Sequence, residues 1–135
     1  AKKNAELNKT EINFFECDIL NNKLWDELPN YDLIVSNPPY ITANEKNILA
    51  KNVIDFEPHL ALFSGNNDAQ RFIKKISEFA KKKLNKNGLL FFETNEFHAT
   101  ESKEIMEEYG FTKVEIKKDL NGNDRMLKGI LGDGS

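Results

Sequence analysis

The tetrapeptide Asn37-Pro38-Pro39-Tyr40 is the stretch of this chain best suited to chemistry. Neither proline carries an N–H, so the backbone there presents carbonyl acceptors without competing donors. The Asn37 carboxamide adds one more acceptor and two donors. Together these groups suit a planar NH2: acceptors hold its two hydrogens, and the Tyr40 ring covers one face of the plane. An amide nitrogen is a poor nucleophile because its lone pair is delocalised, and bonds that hold its hydrogens aside orient what remains toward an electrophile. The gain is mostly positional, and well-oriented reactants recover up to roughly 7–11 kcal/mol of a barrier. Taken for structure alone, the same four residues start a turn after a strand, as such dipeptides commonly do.

The elements that must position this corner can be read from periodicity. Tyr31-Asp32-Leu33-Ile34-Val35 is an apolar run that reads as a buried strand, ended by Asn37 and the prolines. The corner therefore sits at a carboxyl end, where open α/β sheets bind ligands. Upstream, residues 1–8 read as the tail of a helix, residues 12–17 as a strand containing a buried Cys17, and residues 24–28 as a short helical stretch. Downstream, residues 41–67 show little period and read as a long loop anchored by Phe56 and Leu62, with Glu57 a weaker site candidate. Residues 68–84 form an amphipathic helix with Lys81, Lys82 and Lys83 at a solvated carboxyl end and Gly88 in the exit turn. Residues 89–92 are the next buried strand, and residues 100–109 a helix stopped by Gly110. Residues 112–117 alternate as an edge strand, Asn121-Gly122 signals a turn, and residues 125–131 return as an antiparallel last strand.

Three stretches resemble one family. Ile34-Val35-Ser36-Asn37-Pro38-Pro39-Tyr40-Ile41, Phe56-Glu57-Pro58-His59-Leu60-Ala61-Leu62 and Asp119-Leu120-Asn121-Gly122-Asn123-Asp124-Arg125 follow in the order and spacing of the HemK/PrmC family, the N5-glutamine methyltransferases of peptide-chain release factors. The resemblance implies a partial Rossmann-like class I methyltransferase sheet, mostly parallel with an antiparallel last strand and with the first two strands missing. It implies residues 1–131 as the distal part of that domain and residues 132–135 as a flexible tail. It implies S-adenosylmethionine as cofactor, with Asp18 and Ile19 bordering the adenine and Asn37 shared between cofactor and substrate. Asn37, Pro38, Pro39 and Tyr40 are then both catalytic and substrate-binding, and the partner is the Gly-Gly-Gln loop of a release factor. Read from the motif alone, Asp18 is a cap or turn residue. Asp124 and Arg125, within the family marker, are read as structural. Asn95 stands where relatives usually have Gly, and Asn tolerates positive φ better than most residues.

Composition limits the alternatives. The chain has 135 residues, 39% of them hydrophobic, enough for one modest core. Its net charge of −3 comes from interspersed charges, which speaks against a nucleic-acid partner. Cys17 is its only cysteine, so no internal disulfide forms, and one Cys with His59 and His98 makes no metal site. No apolar run reaches membrane-spanning length, and a cytoplasmic protein without a membrane partner is expected.

None of the seven glycines forms a Gly-x-Gly-x-x-Gly turn between strand and helix, so the Gly-rich half of the family's cofactor site has no counterpart here. The chain is accordingly expected to be an incomplete, inactive fragment of a methyltransferase. Loss of the first two strands leaves an edge of the 31–35 strand bare. Pairing of residues 12–17 with that edge, or an edge-mediated dimer, would cover it. Two other functions remain open: adenine-N6 methylation of nucleic acid, which presents the same NH2 on a flat ring, and a non-catalytic fragment that binds a partner.

Overall fold

A computed structural model of the protein describes residues 1–39 and 70–133. Helix α1 (Lys2–Leu7) is followed by a 3₁₀ turn (Asn22–Glu27), strand β1 (Tyr31–Ser36), helix α2 (Arg71–Lys83), strand β2 (Leu84–Glu93), helix α3 (Ala99–Glu108), strand β3 (Phe111–Lys118) and strand β4 (Asp124–Leu131). The strands form one sheet in the order β1-β2-β4-β3. β1 and β2 are parallel, and β4 runs antiparallel to both of its neighbours. Three strands thus point one way and the last strand in sequence points the other.

Alternation along β2 sorts the two faces of the sheet. Leu90 and Phe92 are fully buried and join Leu127 of β4 and Phe111 and Val114 of β3 in one cluster. Ile73, Ile76 and Ala80 of α2 and Ile105 and Met106 of α3 close that cluster from above. Each of the larger side chains contributes about 1.5–3 kcal/mol through removal from water. The opposite face keeps Leu33, Val35 and Met126 exposed, at 51%, 70% and 40%.

The helix ends follow their sequence signals. Gly110 takes φ +94° after α3, and its N–H bonds the Glu107 carbonyl at 3.0 Å. α1 ends in a similar motif with Lys9 at φ +51°, Lys9 N–H on the Glu6 carbonyl and Thr10 N–H on the Ala5 carbonyl. The lysines that end α2 are not simply solvated. Lys83 is buried and donates to the Leu28 carbonyl at 2.6 Å, while Lys82 pairs with Asp26 at 2.6 Å, so the helix end is tied to the 3₁₀ turn. No exit turn follows α2: β2 starts at Leu84, and Asn87, left-handed at φ +61°, lies within it where its pairing with β1 shifts register. Gly88 is needed for space instead, since a Cβ there would lie 2.8 Å from the Asn85 carbonyl oxygen.

Residues 12–17 do not form the expected strand. Among the described residues β1 pairs with β2 alone, and Ile12, Phe14 and Phe15 are 52%, 41% and 62% exposed. β-branched and aromatic residues favour a strand only where a ladder partner exists, and this stretch has none among the described residues. Cys17 is correspondingly half-buried. Nor does the stretch cross to the free edge of β1.

The close approach of α3 to β4 makes a prediction. A Cβ at Gly129 would lie 2.7 Å from the Met106 Cε and 3.2 Å from the Phe111 Cβ. The methionine end can swing away, but the Phe111 Cβ is fixed to the β3 backbone. Gly129→Ala is expected to destabilise the fold by about 1–3 kcal/mol, read as a lower urea midpoint at unchanged slope.

Candidate functional site

β1 delivers Asn37 to the carboxyl edge of the sheet. Asn37 is exposed and has no hydrogen-bond partner among the described residues, whereas Pro38 is buried and Pro39 half-buried. The prolines thus anchor the corner and leave the carboxamide free. Tyr40 and residues 56–62, including Glu57, lie outside the described residues.

A cavity of about 430 Å³ opens beside Asn37. Its walls are Leu33 and Val35 of β1, Phe91 and Phe92 of β2 and Met126 of β4, with Ser36, Asn37 and Glu93 as polar groups. Register explains the grouping, because Val35 pairs with Phe91, Ser36 with Phe92, and Glu93 with Met126. Asn37 and Glu93 therefore end two adjacent parallel strands. Glu93 was not among the residues expected at the site from sequence, although its position at the carboxyl end of a strand beside Asn37 is the signal that finds it.

The turn after Glu93 is built by side-chain oxygens. Asn95 Oδ1 accepts from the Phe97 N–H at 3.0 Å and the His98 N–H at 3.2 Å, and Asn95 does not take the positive φ considered for it. Gln70, where the chain re-enters the described part, is 3% exposed. Its Oε1 accepts from Ser102 Oγ at 2.8 Å, and its Nε2 donates to the His98 carbonyl at 3.4 Å and to Glu101 Oε2 at 3.3 Å. This network ties the start of α2 to the start of α3, behind the carboxyl end of β2.

Asp18 and Ile19 do not line the cavity beside Asn37. Asp18 is exposed, and its Oδ1 accepts from the Leu20 N–H at 3.0 Å, which makes it a turn residue. Ile19 packs against the core, and its carbonyl accepts from Trp25 Nε1 at 3.2 Å. Trp25 is 1% exposed and meets Phe79 edge-on, with ring centroids 5.3 Å apart.

The stretch from Asp119 to Arg125 is a structural brace. Asp119 Oδ1 accepts from the Asn121 and Asn123 N–H groups at 2.9 and 3.0 Å, and Oδ2 accepts from Arg125 Nε at 3.2 Å. Asp124 pairs with Lys118 at 2.8 Å. The Arg125 carbonyl in turn accepts from the Thr94 N–H at 2.8 Å, so the turn holds the strand end that carries Glu93. The Asn123 N–H, then the Asn121 N–H and Arg125, keep the Asp119 carboxyl below its ordinary pKa. A lowered folded-state pKa gives stability that is present above the unfolded value and is lost as pH falls through the folded one. Amide protection at Asn121 and Asn123 is therefore expected to hold near neutrality and fall below about pH 4. Asp119→Asn should remove that dependence in hydrogen-exchange measurements.

No protein-family model matches the chain. It is 47% identical over 128 residues to a release factor glutamine methyltransferase of Flavobacterium psychrophilum, covering 95% of this chain and 44% of that protein. It is 36% identical over 127 residues to the protein of the same name from Bacteroides thetaiotaomicron, covering 94% and 45%. Over that length the chain is similar to the release factor glutamine methyltransferases. It spans less than half the length of these curated relatives.

The fold agrees with this likeness. A methyltransferase structure from Pyrococcus furiosus superposes with a TM-score of 0.59 at 18% identity, covering 97% of this chain and 55% of that one. The structure of SMU.776 complexed with SAH superposes with a TM-score of 0.55 at 15% identity, covering 96% and 34%. The sheet is a partial Rossmann-like class I methyltransferase sheet, with the one reversed strand expected from sequence. Among the described residues no helix is long and apolar enough to cross a membrane, and no group of three His, Cys, Asp or Glu side chains is placed to hold a metal ion.

Proposed function

We propose that this chain carries the acceptor side of an S-adenosylmethionine-dependent methyltransferase that modifies the side-chain amide nitrogen of a glutamine in a peptide-chain release factor. The observation that carries the reading is the free Asn37 carboxamide, held by a buried Pro38 at the rim of an apolar cavity. The names of the curated relatives support the choice of substrate.

Asn37 Oδ1 accepts one hydrogen of the glutamine NH2 and the Pro38 carbonyl accepts the other. Pro39 walls the slot, and Tyr40, next in sequence, is the residue type that would cover the amide plane. With both hydrogens held, the nitrogen lone pair is turned toward the cavity. As the nitrogen–methyl bond forms, the methyl's bond to sulfur would break with its electron pair left on sulfur, and the nitrogen would then release one proton to solvent water, so no strong general base is required.

S-adenosylmethionine supplies an electrophilic methyl group on a sulfonium. Asn37, with Asp18 and Ile19 at the adenine edge, would hold it on this side. The cavity fits part of such a group, since its apolar walls suit the methyl and the Glu93 carboxylate at the rim suits a cation. Asp18 keeps one carboxylate oxygen outside its bond to Leu20. The chain has no Gly-rich turn between strand and helix to take the rest, and it is proposed to be inactive at this length.

Calorimetric titration of S-adenosylmethionine tests the cofactor assignment, using this chain beside a form as long as the curated relatives. Binding by the long form alone supports it. Binding by the 135-residue chain would show a cofactor site built without a Gly-rich turn and would overturn the roles given to Asp18 and Ile19.

A further inference from the structure

Helix α2 concentrates charge in a way the rest of the chain does not. It holds six of the 19 basic residues and only one of the 22 acidic ones. Three of the six are committed: Lys75 to Glu78 and the Trp25 ring, Lys82 to Asp26, and Lys83 to the Leu28 carbonyl. Arg71, Lys74 and Lys81 have no ion-pair or hydrogen-bond partner among the described residues and are exposed. At helical spacing these three share one face and span about 15 Å.

That face borders two hollows which meet at Tyr109. One, of about 320 Å³, is lined by Leu20, Arg71, Lys74, Lys75, Glu78 and Tyr109. The other, of about 510 Å³, includes Lys81, Glu107, Thr112 and Tyr109. The result is a groove with free cations along one wall, a half-buried aromatic ring at its middle, one carboxylate, Glu78, in the first hollow and two, Glu107 and Asp133, in the second.

We infer that this groove docks an acidic segment of a partner protein, with its carboxylates on Arg71, Lys74 and Lys81 and an apolar or aromatic side chain against Tyr109 and Leu20. Charge complementarity favours such a segment over a nucleic acid. Glu78 interrupts the cationic wall and Glu107 and Asp133 face it across the second hollow; they would repel an unbroken run of phosphates, whereas a peptide can place neutral residues opposite them. The inference does not depend on the proposed methyl transfer, because the groove shares no lining residue with the cavity beside Asn37.

The test is a titration of the protein, followed by amide chemical shifts, with a synthetic peptide of alternating Glu and Gly that carries one central Phe. Shifts are expected in α2 and at Tyr109, with an affinity that falls as salt is raised. Arg71→Gln with Lys74→Gln should weaken binding by about tenfold, while Lys117→Gln on β3 should not change it. Circular dichroism and thermal melting confirm that these exposed substitutions leave the fold intact. The inference is overturned if the peptide shifts no α2 resonance, or if its Gln counterpart binds equally well. It is also overturned if oligouridylate binds the groove more tightly than the peptide, or if the shifts follow protein concentration and so report self-association.

Discussion

Asn37→Ala is expected to lower kcat for methyl transfer by about 10²-fold or more, in any form of the protein that methylates, while leaving the melting temperature unchanged. Asn37 is exposed and has no partner among the described residues, so nothing in the fold depends on its side chain. Its loss removes one of two acceptors that fix the NH2 plane, and a misplaced nitrogen meets the methyl group off line. Asn37→Asp keeps an acceptor oxygen but loses the two donors and adds a charge, so its activity should fall between the wild type and the alanine variant. Single-turnover rates at saturating cofactor separate this loss from weaker binding. A variant with full kcat and a raised KM would place Asn37 in binding alone.

Trp25→Ala is expected to cost about 3–5 kcal/mol, a large part of the stability of a domain this size. The ring is 1% exposed, lies edge-on to Phe79 and carries Lys75 5.0 Å above it. Its indole N–H also satisfies the Ile19 carbonyl. Trp25→Phe keeps much of the packing but leaves that carbonyl without its donor, for a smaller loss of about 1–3 kcal/mol. Urea denaturation distinguishes the two variants. Equal losses would mean that the hydrogen bond, and not the ring, dominates. Because Trp25 holds Ile19, and Asp18 precedes it, the same substitution should also disturb the proposed adenine edge.

Local patterns foretold the elements whose partners are also local. The apolar spacing of residues 73, 76, 79 and 80 marks α2, Gly110 ends α3, and Asn121-Gly122 joins β3 to β4, with Gly122 at φ +85°. The end of β1 was legible for the same reason, since an apolar run ended by two prolines fixes where a strand stops, but the run is not the buried strand expected: Leu33 and Val35 are exposed. Residues 12–17 show the limit. Their composition is that of a strand, but a strand needs a neighbour, and composition does not supply one. The lysines of α2 show another: Lys81, Lys82 and Lys83 look equivalent in sequence, yet the 3₁₀ turn captures Lys82 and Lys83 and leaves Lys81 free. Glu93 and Met126 joined the site only through register, which depends on how β4 inserts beside β2.

The roles given to Asp18, Ile19 and the Asn37 corner all serve one reaction, and its product can be read directly. The protein, at the length of its curated relatives, would be incubated with S-adenosylmethionine and a release factor, and the peptides mapped by tandem mass spectrometry. One added methyl group on the side-chain nitrogen of the glutamine in the Gly-Gly-Gln loop, absent with Asn37→Ala, is the predicted result. An unmodified release factor together with N6-methyladenine in DNA supplied in parallel would contradict it and assign the corner to a nucleobase.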